Sequence, residues 1–328
     1  DQSIAIFLAK NAIDVWGMDY AWALVPATTT DFSFMKDWGF AKEIQFAERG
    51  LSVARTLRAS TGQGNGRFDL LGFSYGVLLG YAIAGDETQW PHARRNVKGF
   101  VPVDYYFKTN DEAMRASACQ DIANLQGLLD AGTYNDASGL FFQQVGSLAK
   151  SAPNDPSPFL GSLTNFQFIL YVAASDGGGG HFAGGIFNAS GIPTGLRFTD
   201  PALWPDLALA APPYSAPVRV GPDLDALVCG QPDVPFDDHL GEIRVPILYV
   251  GAAGGFGQGS GPYSTTLTAS RDVTKLRVQL LPDDQSAFDY GHADLFTGSN
   301  AQRLVWRPIL NWILAHRSEH REFAETGN

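Results

Sequence analysis

An α/β fold built on a mostly parallel, doubly wound sheet is predicted by three features of this chain. Strand-like apolar runs alternate with helix-period segments in its first third, the alternation returns near the C-terminus, and a Gly-x-Ser-x-Gly turn joins one such run directly to a helix. The length of 328 residues exceeds the usual single domain of about 100–200 residues, so a core carrying a sizeable insertion, or two domains, is expected. Hydrophobic residues make up 45% and charged residues 17%, with 22 Phe, 11 Tyr and 7 Trp, a composition that excludes a disordered chain.

The elements follow in order. Ile4, Phe7 and Leu8 have helical spacing, and Ile13 to Asp19 reads as a short buried strand ending in a carboxylate. Ile44, Phe46, Leu51, Ala54 and Leu57 keep a helical period with charges between them, and the glycines of Thr61–Gly66 end that helix. Phe68–Leu71 is a strand running into Gly72-Phe73-Ser74-Tyr75-Gly76, and Val77 to about Ala84 is the helix after it. Val97–Val103 is a further strand. Near the C-terminus come strands at Val245–Val250 and Leu276–Leu281, then a helix carrying Leu304, Val305, Ile309, Leu310, Trp312 and Ile313. Between about Tyr105 and Gly241 the chain is rich in Gly, Pro, Phe and Ala, with short helical patterns and no clear strand alternation. This is the insertion.

Charge and hydropathy narrow the partners. The 34 acidic and 23 basic groups give a net charge of −11, which repels polyphosphate, so nucleic acid is not an expected partner. No apolar run approaches the roughly 20 residues needed to span a bilayer, so no membrane span is expected. The compartment stays unknown, with few lysines and a start at Asp1 leaning towards a secreted or periplasmic protein. Cys119 and Cys229 are too few for a disulfide scaffold and lack metal-site spacing; two free thiols or one disulfide both remain open.

The chemistry centres on Ser74. Small residues at Gly72 and Gly76 permit a sharp strand-to-helix turn that lifts a serine hydroxyl above the sheet, and the strand before it and helix after it supply the required context. A serine hydroxyl needs a base, and of the six histidines His292 stands out because it lies between the last strand and the last helix, at the same sheet edge as Ser74. His92, His181, His239, His316 and His320 read as surface residues. The acid that orients the base should follow another strand. Asp104 stands immediately after Val97–Val103, at the end where reactive groups gather in open sheets, and Asp272 is the alternative acid. Asp283, Asp284 and Asp294 read as loop or capping residues, Asp294 helping to hold the loop of the base. Phe141, Phe142, Phe159, Phe166, Phe168, Phe182 and Trp204 could line an apolar pocket or fill the insertion's own core. The Gly177–Gly180 cluster is a hinge or a flexible loop and not a phosphate loop, since no Lys-Ser/Thr follows it.

The chain order Ser74, Asp104, His292 resembles that of the α/β-hydrolase superfamily, and Asp14–Asp19 looks like strand four of its lipase and esterase branch. The similarity covers residues 1–104 and about 243–316. It implies an α/β-hydrolase core at 1–104 and 242–328 with a largely helical cap at 105–241, inserted after the family's sixth strand. It also implies a serine hydrolase acting on a small-molecule ester, in which Ser74 attacks a carbonyl, His292 shuttles the proton and the N–H of Tyr75 forms part of the oxyanion hole. Acyl transfer, amide or lactone cleavage and a non-catalytic binding role use the same residues or fold. Most members need no metal or organic cofactor.

Two departures are visible. The family's usual acid after its seventh strand is absent, which supports Asp104, and the family's third strand with its oxyanion loop has no counterpart ahead of the first helix. The expectation is therefore that an N-terminal segment of roughly 50–90 residues, as a separate chain or as preceding residues, completes the sheet.

Overall fold

The computed structural model describes residues 3–177 and 179–317. Helix α1 (Ile4–Lys10) buries Phe7 and Leu8, as their spacing requires. The expected strand at Ile13–Asp19 is not formed: no strand pairs with it among the described residues, and an extended segment without a partner leaves its backbone groups to solvent. It lies instead on α2 (Phe40–Ser60), held by the Arg58–Asp14 ion pair at 2.8 Å.

Strand β1 (Phe68–Phe73) leads through Ser74 into α3 (Tyr75–Asp86), in which Val77 to Gly85 are all buried. Such a helix, apolar on every side, belongs at the centre of the fold. Strand β2 (Val97–Val103) follows. The insertion then forms α4 (Glu112–Asp130), α5 (Ser138–Ser151) and α6 (Asn165–Ala174), the last started by a capping box of Thr164 and Gln167. A two-stranded antiparallel sheet of β3 (Gly185–Phe187) and β4 (Pro193–Leu196) interrupts the helices. No alternation announced this pair because each strand is too short to show a period. Helices α7 (Leu203–Leu209) and α8 (Val220–Cys229) complete the insertion, and a Cys119–Cys229 disulfide joins α4 to α8, deciding between the two readings of the cysteines.

The chain returns to the sheet in β5 (Ile247–Ala252), α9 (Ser260–Thr266) and β6 (Val273–Val278), the last three residues earlier than its apolar run suggests. The short α10 (Asp294–Thr297), a π-helical turn at Gln302–Trp306 and α11 (Arg307–Ala315) close the fold.

The main sheet is parallel, in the order β1-β2-β5-β6. Phe40, Ile44, Val77, Tyr81, Phe100 and Leu227 pack on one face, and Phe7, Val101, Val250, Trp306, Ile309 and Ile313 on the other, so helices cover both sides as a parallel sheet requires. Phe73 is paired with Val103 and Val103 with Val250, which brings the C-terminal ends of three strands level. On its other flank β1 has no strand partner among the described residues and borders a groove of about 880 Å³. Leu70 and Leu71 line one wall of that groove, Ile13, Val15, Trp16 and Met18 another.

Candidate active site

Ser74 sits where the sequence pattern requires a sharp turn, with φ +53° and ψ −120°. A non-glycine residue rarely adopts this conformation, and here it is held by hydrogen bonds on both sides, Ser74 N–H to Val103 O (3.1 Å) and Val77 N–H to Ser74 O (2.9 Å). A Cβ added to Gly72 would lie 2.2 Å from Gly76 O, so the turn closes only because residue 72 has no side chain. The Tyr75 N–H begins α3 and has no acceptor among the described residues, leaving a donor beside the Ser74 hydroxyl.

Asp104 follows β2 directly and, like Ser74, has a positive φ of 52°. Its carboxylate is fully buried and fully engaged: Oδ1 accepts from Ala252 N–H (2.8 Å), and Oδ2 accepts from Phe256 N–H (3.2 Å) and from His292 Nδ1 (2.8 Å). Holding Nδ1 as the donor leaves Nε2 as the imidazole's acceptor, the form able to take a proton from a hydroxyl. No hydrogen bond joins Ser74 Oγ to Nε2 in this structure, and catalytic contacts are commonly long without substrate. Three phenylalanines surround the ring: Phe73 stacks at 4.3 Å between centroids, while Phe256 and Phe182 meet it edge-on at 5.0 and 5.9 Å.

The fold is a mixed α/β one, a parallel sheet between layers of helices. No protein-family model and no curated protein matches the sequence. Solved structures similar to it include a monoacylglycerol lipase of Paleococcus ferrophilus, at 11% identity and a TM-score of 0.38, with 82% of this chain and 75% of that one covered. The metagenome-derived lipolytic enzymes LipS and LipT give 12% identity and 0.41, covering 86% and 76%, and the thioesterase domain of the curacin biosynthetic pathway gives 11% and 0.38, covering 88% and 77%. At those scores the likenesses add nothing to the geometry above.

The other candidates fall elsewhere. Asp272 precedes β6 and pairs with His316 Nε2 at 2.9 Å, so this alternative acid faces away from His292, at the opposite end of the sheet. His181 is buried, against the surface position its glycine-rich context suggested: its Nε2 donates to the carbonyl of Asp289 (2.8 Å). Asp294 is also fully buried rather than a simple cap, and burial pushes its carboxyl up. His320 lies outside the described residues. Of the aromatic residues considered for a pocket, Phe182 reaches the imidazole, whereas Phe142, Phe166, Phe168 and Trp204 pack in the insertion's own core. Phe141 and Phe159 meet edge-to-face at that core's margin, their ring centroids 5.0 Å apart. The Gly177–Gly180 turn is tied by Asp176 Oδ1, which accepts from Gly179 and Gly180.

Sequence reasoning missed the donors to Asp104 and the phenylalanine that caps the ring. The signal was present. In the glycine-rich run after β5, a Cβ on Gly255 would lie 2.0 Å from Asp104 Oδ2, so the run that carries no acid of its own is what lets the acid of β2 approach. Among the described residues no three His, Cys, Asp or Glu side chains cluster to hold a metal ion.

Proposed function

We propose that the protein is a serine hydrolase that cleaves carboxylic esters of fairly apolar substrates, with Ser74 as nucleophile, His292 as general base and Asp104 orienting it. The observation that carries this is the buried Asp104–His292 hydrogen bond, at 2.8 Å, at the same sheet edge as a serine in a strand-to-helix elbow. Ser74 Oγ attacks the carbonyl carbon while His292 Nε2 takes its proton, and the carbonyl oxygen becomes an oxyanion facing the Tyr75 N–H. Collapse breaks the ester C–O bond, and the proton on His292 leaves with the alcohol. Water then attacks the acyl-enzyme by the same route, releasing the acid and restoring Ser74. The half-buried rings of Phe73, Phe182, Phe256 and Phe296 favour an apolar acyl or alcohol group.

Turnover of p-nitrophenyl esters of increasing chain length tests this. Native protein should hydrolyse the series, and Ser74→Ala should lower kcat by about 10⁶-fold, as loss of a triad nucleophile does elsewhere. Turnover that survives Ser74→Ala would refute the assignment.

We further infer that a strand-forming polypeptide segment fills the groove beside β1. Support comes from the unpaired flank of β1 and from the exposure of Val15 (38%), Trp16 (46%) and Met18 (49%) on the opposite wall. A strand seated there would have apolar residues on both faces, Leu8 and Ile313 on one side, Leu51 and Ala54 on the other. Intact-mass analysis with N-terminal sequencing of the active species tests it. A fully active monomer of 35.4 kDa with nothing attached would end the idea.

A further inference from the structure

The loop that carries His292 is bonded to the insertion as well as to its own helix. His292 N–H donates to His181 O (3.0 Å) and Ala293 N–H to Phe182 O (2.7 Å), so residues 181–182 and 292–293 run together as a short ladder. Asp294 extends that ladder with its side chain. Its Oδ2 accepts from Gly291 N–H at 2.8 Å and from Gly184 N–H at 2.9 Å, and its Oδ1 accepts from Thr199 Oγ1 at 2.5 Å.

A carboxylate with no solvent exposure is costly unless its oxygens are matched to donors, and here they are. The donors come from three places. Gly291 is the residue before His292, Gly184 lies at the start of the insertion's small sheet, and Thr199 follows that sheet. Asp104 fixes the rotation of the imidazole through Nδ1 but touches none of the backbone that places the ring. Asp294 does the complementary task, seconded by Thr297, whose Oγ1 donates to Ala293 O at 3.0 Å and pairs with Thr199 Oγ1 at 2.8 Å.

We propose that Asp294 is a positioning residue for His292, binding the 291–293 loop to Gly184 and Thr199 so that the insertion aims the imidazole at Ser74. The proposal rests on the hydrolase reading for its kinetic effect and on geometry alone for its structural one. Asp294→Leu keeps a branched side chain and removes all three accepted hydrogen bonds, whereas Asp294→Asn can leave its amide oxygen on the Gly291 and Gly184 N–H groups and turn its NH₂ to Thr199 Oγ1. Thr199→Val removes one contact of the three together with the Thr199–Thr297 hydrogen bond, and Thr199→Ser restores both.

Two readouts separate positioning from mere folding. The first is kcat and KM on the p-nitrophenyl ester series; the second is the ring ¹⁵N shifts of His292, which report its tautomer without any turnover. Asp294→Leu should lower kcat by roughly 10- to 100-fold with KM within about twofold, the size expected for a displaced catalytic group, and Asp294→Asn should fall between it and native protein. Asp294→Leu should also move the His292 shifts from a single Nδ1–H tautomer towards a mixture. Thr199→Val should do the same to a smaller extent, and Thr199→Ser should match native protein. Folded Asp294→Leu with native kcat and shifts would overturn the proposal, as would Thr199→Ser as impaired as Thr199→Val, or a change confined to KM. If Asp294→Leu does not fold, the Thr199 pair decides the matter by the same measures. A native protein that turns over no ester refutes the hydrolase reading alone, because the shifts still decide the role of Asp294.

Discussion

The two sides of β1 differ in how completely they are built. On the side of β2 and β5 the buried carboxylates are matched to donors: Asp104 accepts three hydrogen bonds, Asp294 three, and the fully buried Asp289 takes the backbone N–H groups of Leu280, Leu281 and Tyr290. On the other side β1 presents an unpaired edge to a groove walled by exposed apolar residues. His292 and Asp104 are thus preorganised, and the flank of the strand that leads to Ser74 is open. Substitutions on the built side should act on activity, and substitutions on the open side should report whether it is open in solution.

After Ser74→Ala, the largest effect is expected at Asp104. Asp104→Asn keeps the shape but turns an amide towards donors, so His292 loses its fixed tautomer and kcat should fall by about 10⁴-fold. Asp272→Asn, at the other end of the sheet, should leave kcat within about twofold. Steady-state kinetics on one ester decides it, and the reverse ranking would move the acid to Asp272.

Much of the built side could be read from residues alone. Ser74 was legible because an elbow needs small neighbours at fixed positions, and Asp104 and His292 because reactive groups collect where parallel strands end. What pins them was not legible, since Ala252 N–H, Phe256 N–H and the 181–184 ladder come from segments far apart in the chain. The open side misled more. The apolar pattern of Ile13–Asp19 reads as a buried strand, yet burial in a sheet depends on a neighbour that no local pattern encodes. Val15, Trp16 and Met18 kept the composition of a strand and lost its environment. In the insertion, β3 and β4 escaped notice for another reason, because three or four residues around Gly185 and Gly195 show no period.

Trp16→Ser tests the open side by thermal unfolding of the active species. With the indole as exposed as it stands beside the bare groove, the change should cost no more than about 0.5 kcal/mol. With a strand seated between Trp16 and β1, the indole is buried and the cost rises to about 2 kcal/mol or more. The larger value is expected. A cost near zero would mean that the groove is open in the working protein.

The smallest effect concerns Glu48, on the α2 helix that floors the groove. Burial, with the like charges of Asp86 and Glu87 adding to it, raises its carboxyl from 4.5 to about 7, and its Oε1 is buried without a hydrogen-bond partner. The folded protein therefore holds a proton that the unfolded chain has already shed between pH 4.5 and 7. Stability from this group is present below the unfolded value and lost as pH rises through the folded one. Glu48→Gln should leave Tm unchanged at pH 4.5 and raise it at pH 8, by no more than about 2 °C because the half-buried carboxyl is screened by solvent. A rise that is equal at both pH values would assign the gain to packing rather than charge. A rise well above that bound would mean that solvent screens the carboxyl, and the charges of Asp86 and Glu87 beside it, less than its half-buried position implies.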